Sequence, residues 1–295
     1  MEVREELDAR PPRDGGDGTI RIGSDAHKEL FCRLLLDTFD PYRPAIIDWP
    51  KLTEAERERL VALPIWDIAV QTEGKARLRM LTYAGRIADP LLRKALELNG
   101  FEEGRHKAVL ANLVAAYGIV LGEEPPPLVP RDPEWAYMMT GYSECIDSFF
   151  AFGLFELAKR SGFFPPALVE TFEPVMQEEC RHILFFVNWA AWHRRTLPLW
   201  RRPIFVARVL GVWACLIWER IQTARDVGGH NFAATGHQSM GLEIDARGLM
   251  AVCLAENDRR MARYDARLPR PGVMPRLIRI ALTFMRQPAP ARPAG

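Results

Sequence analysis

The feature that most constrains this chain is a pentapeptide written twice. Glu102-Glu103-Gly104-Arg105-His106 and Glu178-Glu179-Cys180-Arg181-His182 both read Glu-Glu-x-Arg-His. On a helix at about 100° per residue, the second Glu and the His three places later share one face. A glutamate in a helical pattern precedes each copy at a similar distance: Glu73 lies 30 residues before Glu103, and Glu144 lies 35 before Glu179. Each interval holds one helix, a turn and most of a second, antiparallel helix. Two such hairpins facing each other would bring four carboxylates and two imidazoles to one point.

The rest of the chain reads as helix, with no strand pattern of any length. Residues 1–22 carry Pro11-Pro12 and Gly15-Gly16 and read as a disordered tail. A short amphipathic helix over about His27 to Asp37 and a Pro-broken connector through Pro41, Pro44 and Pro50 follow. Thr53 and Glu56 then form a capping box, which completes a segment 23–64. The central unit, 65–194, is expected to hold four long helices. The first covers about Ile65 to Ala88. The second, started by the Asp89 cap and Pro90, runs to about Tyr117. The third starts at Asp132-Pro133 and runs to about Arg160. The fourth covers Ala167 to Arg194, with a kink expected at Pro174. Further helical patterns over 203–225, 242–263 and 274–285 form a C-terminal extension, 195–287, before a Pro/Ala-rich tail, 288–295.

Composition narrows the function classes. At 295 residues the chain is long enough for a substantial core, and a net charge of +1 gives no electrostatic reason to expect a nucleic-acid partner. Five widely spaced cysteines without a Cys-x-x-Cys argue against a disulfide framework or a zinc knuckle. With a charged N-terminus lacking an apolar h-region, they lead to the expectation of a cytoplasmic protein. The longest mainly apolar run, Ala108 to Gly122, falls short of the roughly 18 residues a membrane span needs.

Two buried hard cations need carboxylate oxygens to neutralise and bridge them, and imidazole nitrogen to complete each coordination sphere. Glu73, Glu103, His106, Glu144, Glu179 and His182 are therefore the candidate metal ligands. One Glu-x-x-His is a weak signal; two in the same pentapeptide, each with its upstream glutamate, are specific. Rival readings exist. Glu73 precedes Arg77 by four residues, the spacing of a surface salt bridge, and Asp147 competes with Glu144 one turn away. His230 and His237 flank a Gly/Ala loop and suit a surface or lid better than a metal. Cys145 and Cys180 adjoin ligand positions but suit small buried apolar roles.

This ligand pattern resembles the ferritin-like di-iron carboxylate superfamily over about 65–194, and its acidic-Glu-x-Arg-His form is similar to bacterial multicomponent monooxygenases and magnesium-protoporphyrin ester cyclases. The resemblance implies an all-α fold: a ferritin-like four-helix bundle with additional N- and C-terminal helices. It implies two iron ions, with iron–manganese or dimanganese as variants. Glu102 and Glu178 would accept hydrogen bonds from ligand imidazoles, with Arg105 and Arg181 balancing the acids. The alternative is two ordinary surface acid–base pairs. Ser148, four residues after Glu144, stands where the monooxygenases place a hydroxyl near the oxygen-binding side; the alternative is a hydroxyl bonded to its own helix backbone. The expected function is a di-iron oxidase or oxygenase that uses O2 to hydroxylate, desaturate or N-oxygenate a small apolar or aromatic molecule. With no flavin, haem or iron–sulfur motif in the chain, electrons would come from a separate reductase or ferredoxin. A ferroxidase or iron-handling role and a tRNA-modifying hydroxylase are the alternatives. Leu110, where ribonucleotide reductase small subunits carry their radical Tyr, argues against that class. The helices after the fourth would wall a substrate cavity or form a homodimer interface, and the basic, amphipathic last helix packs on the bundle or touches a membrane surface.

Overall fold

Capping chemistry sets the helix boundaries. The structure, a computed structural model, describes residues 19–226 and 244–285. In chain order the helices are α1 (Asp25–Leu36), α2 (Glu54–Val61), α3 (Trp66–Ala84), α4 (Pro90–Tyr117), α5 (Pro133–Ser161), α6 (Pro166–Glu170), α7 (Glu173–Thr196), α8 (Arg202–Asp226), α9 (Ala246–Met261) and α10 (Val273–Phe284). Among the described residues there is no strand, so the chain is all-α. Asp89 and Asp132 cap α4 and α5 by accepting from the Leu92 and Trp135 backbone amides, each followed by Pro at the first helical position. The Thr53–Glu56 capping box opens α2 with both of its bonds formed. At the other end, α4 and α5 stop at Gly118 and Gly162, whose φ of +66° and +62° is the left-handed region glycine enters without strain.

Two expected boundaries move. The first long helix ends at Ala84 rather than near Ala88. The fourth is not one kinked helix but two, α6 and α7, broken at Thr171 and Phe172. Pro174 has no amide proton and its ring clashes with the carbonyl four residues back, so the chain stops at Glu170 and restarts with Pro174 in the first turn of α7. The expectations for residues 1–18, for His230 and His237, and for the tail beyond 285 fall outside the described residues.

The helices α3 and α4 form a tight hairpin through the short turn at Gly85–Asp89, and α5 packs on both α3 and α7. The main core lies between these four and includes Met80, Leu96, Tyr137, Phe152, Phe185, Phe186 and Trp189, all buried. It is closed at one side by α1, whose Phe31 and Leu35 are buried. There His27, also buried, shares a 2.9 Å hydrogen bond with Asn188 of α7. On the far side α9 lies directly against α5, because Gly153 has no side chain: a Cβ there would come 2.8 Å from the Cys253 Cα. Arg260 of α9, buried, binds Glu173 of α7 at 3.0 Å and Glu256 at 2.8 Å. No described helix is long and apolar enough to cross a membrane.

Candidate metal centre

Both copies of the repeat lie mid-helix with their polar side chains turned inward. Glu102, Glu103, Arg105 and His106 on α4, and Glu178, Arg181 and His182 on α7, are buried in an interior that is otherwise apolar. An unpaired charge in such a place is costly, so each must be neutralised locally.

The outer layer of the centre is a crossed set of ion pairs. Glu102 Oε2 lies 2.8 Å from His182 Nε2, and Glu178 Oε2 lies 2.8 Å from His106 Nε2, so each acid serves the imidazole of the opposite helix pair. Arg181 donates to the other Glu102 oxygen at 2.9 Å, and Arg105 donates to the other Glu178 oxygen. The surface-pair alternative is thereby removed: all four groups are inside and mutually bonded. Burial alone would raise the Glu102 carboxyl, but the hydrogen bond from His182 and the Arg181 and Arg105 charges outweigh it and hold it below the usual carboxylate value.

With Nε2 engaged by a carboxylate, each imidazole turns its Nδ1 towards the centre. His182 Nδ1 lies 2.9 Å from Glu103 Oε1 and 4.0 Å from Glu179 Oε1; His106 Nδ1 lies 3.2 Å from Glu179 Oε1 and 3.7 Å from Glu73 Oε2. Yet His106 Nδ1, His182 Nδ1, Glu103 Oε1 and both Glu144 oxygens are buried without a hydrogen bond of acceptable geometry. Buried polar atoms in native proteins are almost always satisfied. A group of such atoms on neighbouring helices could be satisfied by an ion.

Glu103, His106, Glu179 and His182 each offer a ligand atom within 4.8 Å of the others and could hold a metal ion. Glu73 and Glu144 flank this foursome. Glu73 turns to His106 rather than Arg77. Glu144 points inward while its rival Asp147 is drawn to the surface by Arg220, at 2.8 Å, and Ser143. Ser148 donates to Glu179 Oε2 at 3.2 Å, not to its own backbone.

The electrostatics fit a cation. Burial, together with the Glu103 and Glu179 charges, pushes the Glu73 carboxyl up to about 8, and the same causes put Glu144 well above its usual value. Burial opposes the charged form of both imidazoles. For His106 the bond to Glu178 and the nearby Glu179 and Glu73 carboxylates prevail, and for His182 the charge of Glu103 and the bond to Glu102 do, so both sit well above the ordinary histidine value. Without a metal, these shifts favour the protonated forms of Glu73, Glu144, His106 and His182. Six ionised carboxylates against two guanidinium groups and neutral imidazoles leave a formal charge of −4, which two divalent cations neutralise.

Sequence reasoning missed the strap across the centre. Arg181 Nη1 donates to the Thr38 carbonyl at 2.6 Å and to its hydroxyl at 2.9 Å. Arg105 donates to the Asp40 carbonyl and stacks 3.9 Å from the Tyr42 ring, whose hydroxyl donates to Glu178 Oε2 at 3.3 Å. The Pro-broken connector is thus fastened to both repeats. Nothing local to residues 38–42 signals this.

Compared with known proteins, the chain matches no family, no curated protein and no solved structure. The geometry of its own residues is what a functional reading rests on.

Two shallow depressions occur at the surface, one of about 350 Å³ lined by Tyr83, Arg86, Glu134 and His193 among others, the second of about 210 Å³ beside Phe164 and Val169. Neither is lined by a residue of the Glu/His cluster.

Proposed function

We propose that this chain is a di-iron oxidase or oxygenase, with α3, α4, α5 and α7 forming a ferritin-like bundle around the metal pair. The observation that carries the reading is the set of converging, unsatisfied donors: two imidazole Nδ1 atoms, with Glu103 and Glu144 oxygens buried beside them. Carboxylate-rich sites with one imidazole per metal suit iron and manganese better than zinc or copper, which favour more nitrogen or sulfur. When bound, the iron pair would supply O2 activation and the redox chemistry, with electrons from a separate reductase or ferredoxin.

The protein's own contribution is positioning and exclusion of water. Glu102 and Glu178 hold the imidazoles in the tautomer that presents Nδ1, and Arg181 and Arg105 hold those two acids. Ser148, through its bond to Glu179, orients that carboxylate and keeps a hydroxyl proton beside the centre. The core between these helices is mainly apolar, which suits an apolar or aromatic substrate.

The test is anaerobic loading with Fe(II), followed by mixing with O2 while oxygen uptake and the optical spectrum are recorded. Rapid uptake in the native protein, lost in Glu103→Ala and Glu179→Ala, supports oxygen chemistry; no uptake above that of free iron rejects it. Cage-sized assemblies storing many irons per chain would favour iron handling instead.

A further inference from the structure

Helix α8 is apolar on two opposite faces, and among the described residues only one of them is packed. Phe205, Val212 and Leu216 are buried against the bundle. On the other side Leu210, Ile217 and Ile221 are exposed, at 65%, 54% and 41%, with Ala207 and Ala214 exposed between them. Pro203, Ala207, Leu210, Ala214, Ile217 and Ile221 recur at alternating spacings of four and three, the seam of a coiled coil. A helix apolar all round belongs in an interior.

We propose that this face is the interface of a homodimer, in which α8 packs antiparallel on α8 of a second copy about a two-fold axis. Three observations select a second copy. First, the large and small residues of the seam are complementary end to end. An antiparallel register centred between Leu210 and Ala214 sets Leu210 against Ala214 and Ile217 against Ala207 in both halves at once, as a two-fold interface requires. Parallel pairing would set like against like. Second, with Trp200, Ile204 and Trp218, exposed at 65%, 54% and 57%, the face offers on the order of 800 Å² of apolar surface per copy, the share of one partner in a standard stable interface. Third, three of the flanking cations are already engaged, while Arg201, exposed, lies over the Trp200 ring at 4.7 Å. Arg208 pairs with Asp132 at 2.8 Å, Arg220 with Asp147 at 2.8 Å, and Arg202 donates to the Leu197 and Arg195 carbonyls. An interfacial helix would turn such basic groups to lipid phosphates; here they rim an uncharged seam.

The pairing would also brace the metal centre. Arg220 holds Asp147 outward, one turn from Glu144, and Trp213 packs on Tyr142 at 5.5 Å.

Light scattering and sedimentation of the full chain at tens of micromolar test this directly. The expected mass is twice 33.6 kDa, falling towards the monomer only on strong dilution. The double variant Leu210→Glu/Ile217→Glu, with helicity checked by circular dichroism, should weaken dimerisation at least a hundredfold. Ala214→Leu alone should weaken it at least tenfold, and Leu210→Ala/Ala214→Leu, which restores large against small, should recover it. A monomeric native protein, or a dimer indifferent to Leu210→Glu/Ile217→Glu, overturns the proposal. So does a monomer that sediments with phosphatidylcholine/phosphatidylglycerol vesicles, which would give the face to lipid.

Discussion

Glu102 Oε2 lies 2.8 Å from Nε2 of His182, a residue 80 positions away on another helix. Its counterpart, Glu178 with His106, has the same 2.8 Å separation. The two repeats are therefore interlocked: each motif orients the imidazole of the other, and neither could present its Nδ1 correctly alone. Partners of this kind orient metal-bound histidines and change metal affinity by about 10–100-fold when lost.

Glu102→Gln and Glu178→Gln should each weaken binding of Mn(II) or Fe(II) by about that 10–100-fold, while the protein stays folded. Metal titration followed by calorimetry measures it. Equal affinity in both variants would detach the outer acids from the centre.

Glu73 carries a folded-state value of about 8 against an ordinary 4.5. The folded, metal-free protein thus binds a proton that the unfolded chain releases between these values, and its stability falls as pH rises from about 4.5 to 8. His106 and His182, raised above 6.5, act in the same direction: their contribution is complete below 6.5 and is lost as pH climbs through the raised value. Urea unfolding of metal-free protein at pH 5.5 and 8.5 should show the higher stability at pH 5.5. Metal displaces the same protons, so affinity for Mn(II) should increase between pH 6 and 8, with proton release on binding. A flat or inverted dependence in either experiment contradicts the charge assignment.

Arg181→Lys removes a planar fork that joins Glu102 to both the carbonyl and hydroxyl of Thr38. The strap over 38–42 should then exchange its amide protons faster than in the native protein, with α4 and α7 unchanged. Uniform exchange across the whole chain would indicate general destabilisation instead.

Gly153→Ala tests the packing of α9. The new methyl would sit 2.8 Å from the Cys253 Cα, a backbone atom that cannot rotate away. Overpacking of this kind costs about 1–3 kcal/mol, and thermal unfolding should register it. Gly85→Ala, where the nearest atom is 3.6 Å away, should not.

Much of the fold was legible because its signals are local. Asp89-Pro90, Asp132-Pro133 and Thr53 with Glu56 cap the helices they were expected to cap. The Pro174 kink was misplaced because the same ring chemistry also allows a clean restart of the helix, and the sequence does not choose between them. The inward set Glu103, His106, Glu179 and His182 followed from repetition and period. Spacing and side-chain length favour Glu144 over Asp147, and in the structure Arg220 of α8 draws Asp147 outward. The crossing of the outer acids was illegible because helical spacing relates Glu102 to its own helix, while its partner is set by how the hairpins meet. Tyr42 and Thr38, 136 and 143 residues from Glu178 and Arg181, carry no local mark of their bonds.

The central claim is that two like-built hairpins close on a pair of divalent ions. Inductively coupled plasma mass spectrometry of protein reconstituted anaerobically with Fe(II) and desalted tests it most directly. The account predicts about two irons per chain, falling to one or none in Glu103→Ala and Glu179→Ala. Retention of no metal by the native protein, or a stoichiometry that neither variant alters, would contradict it.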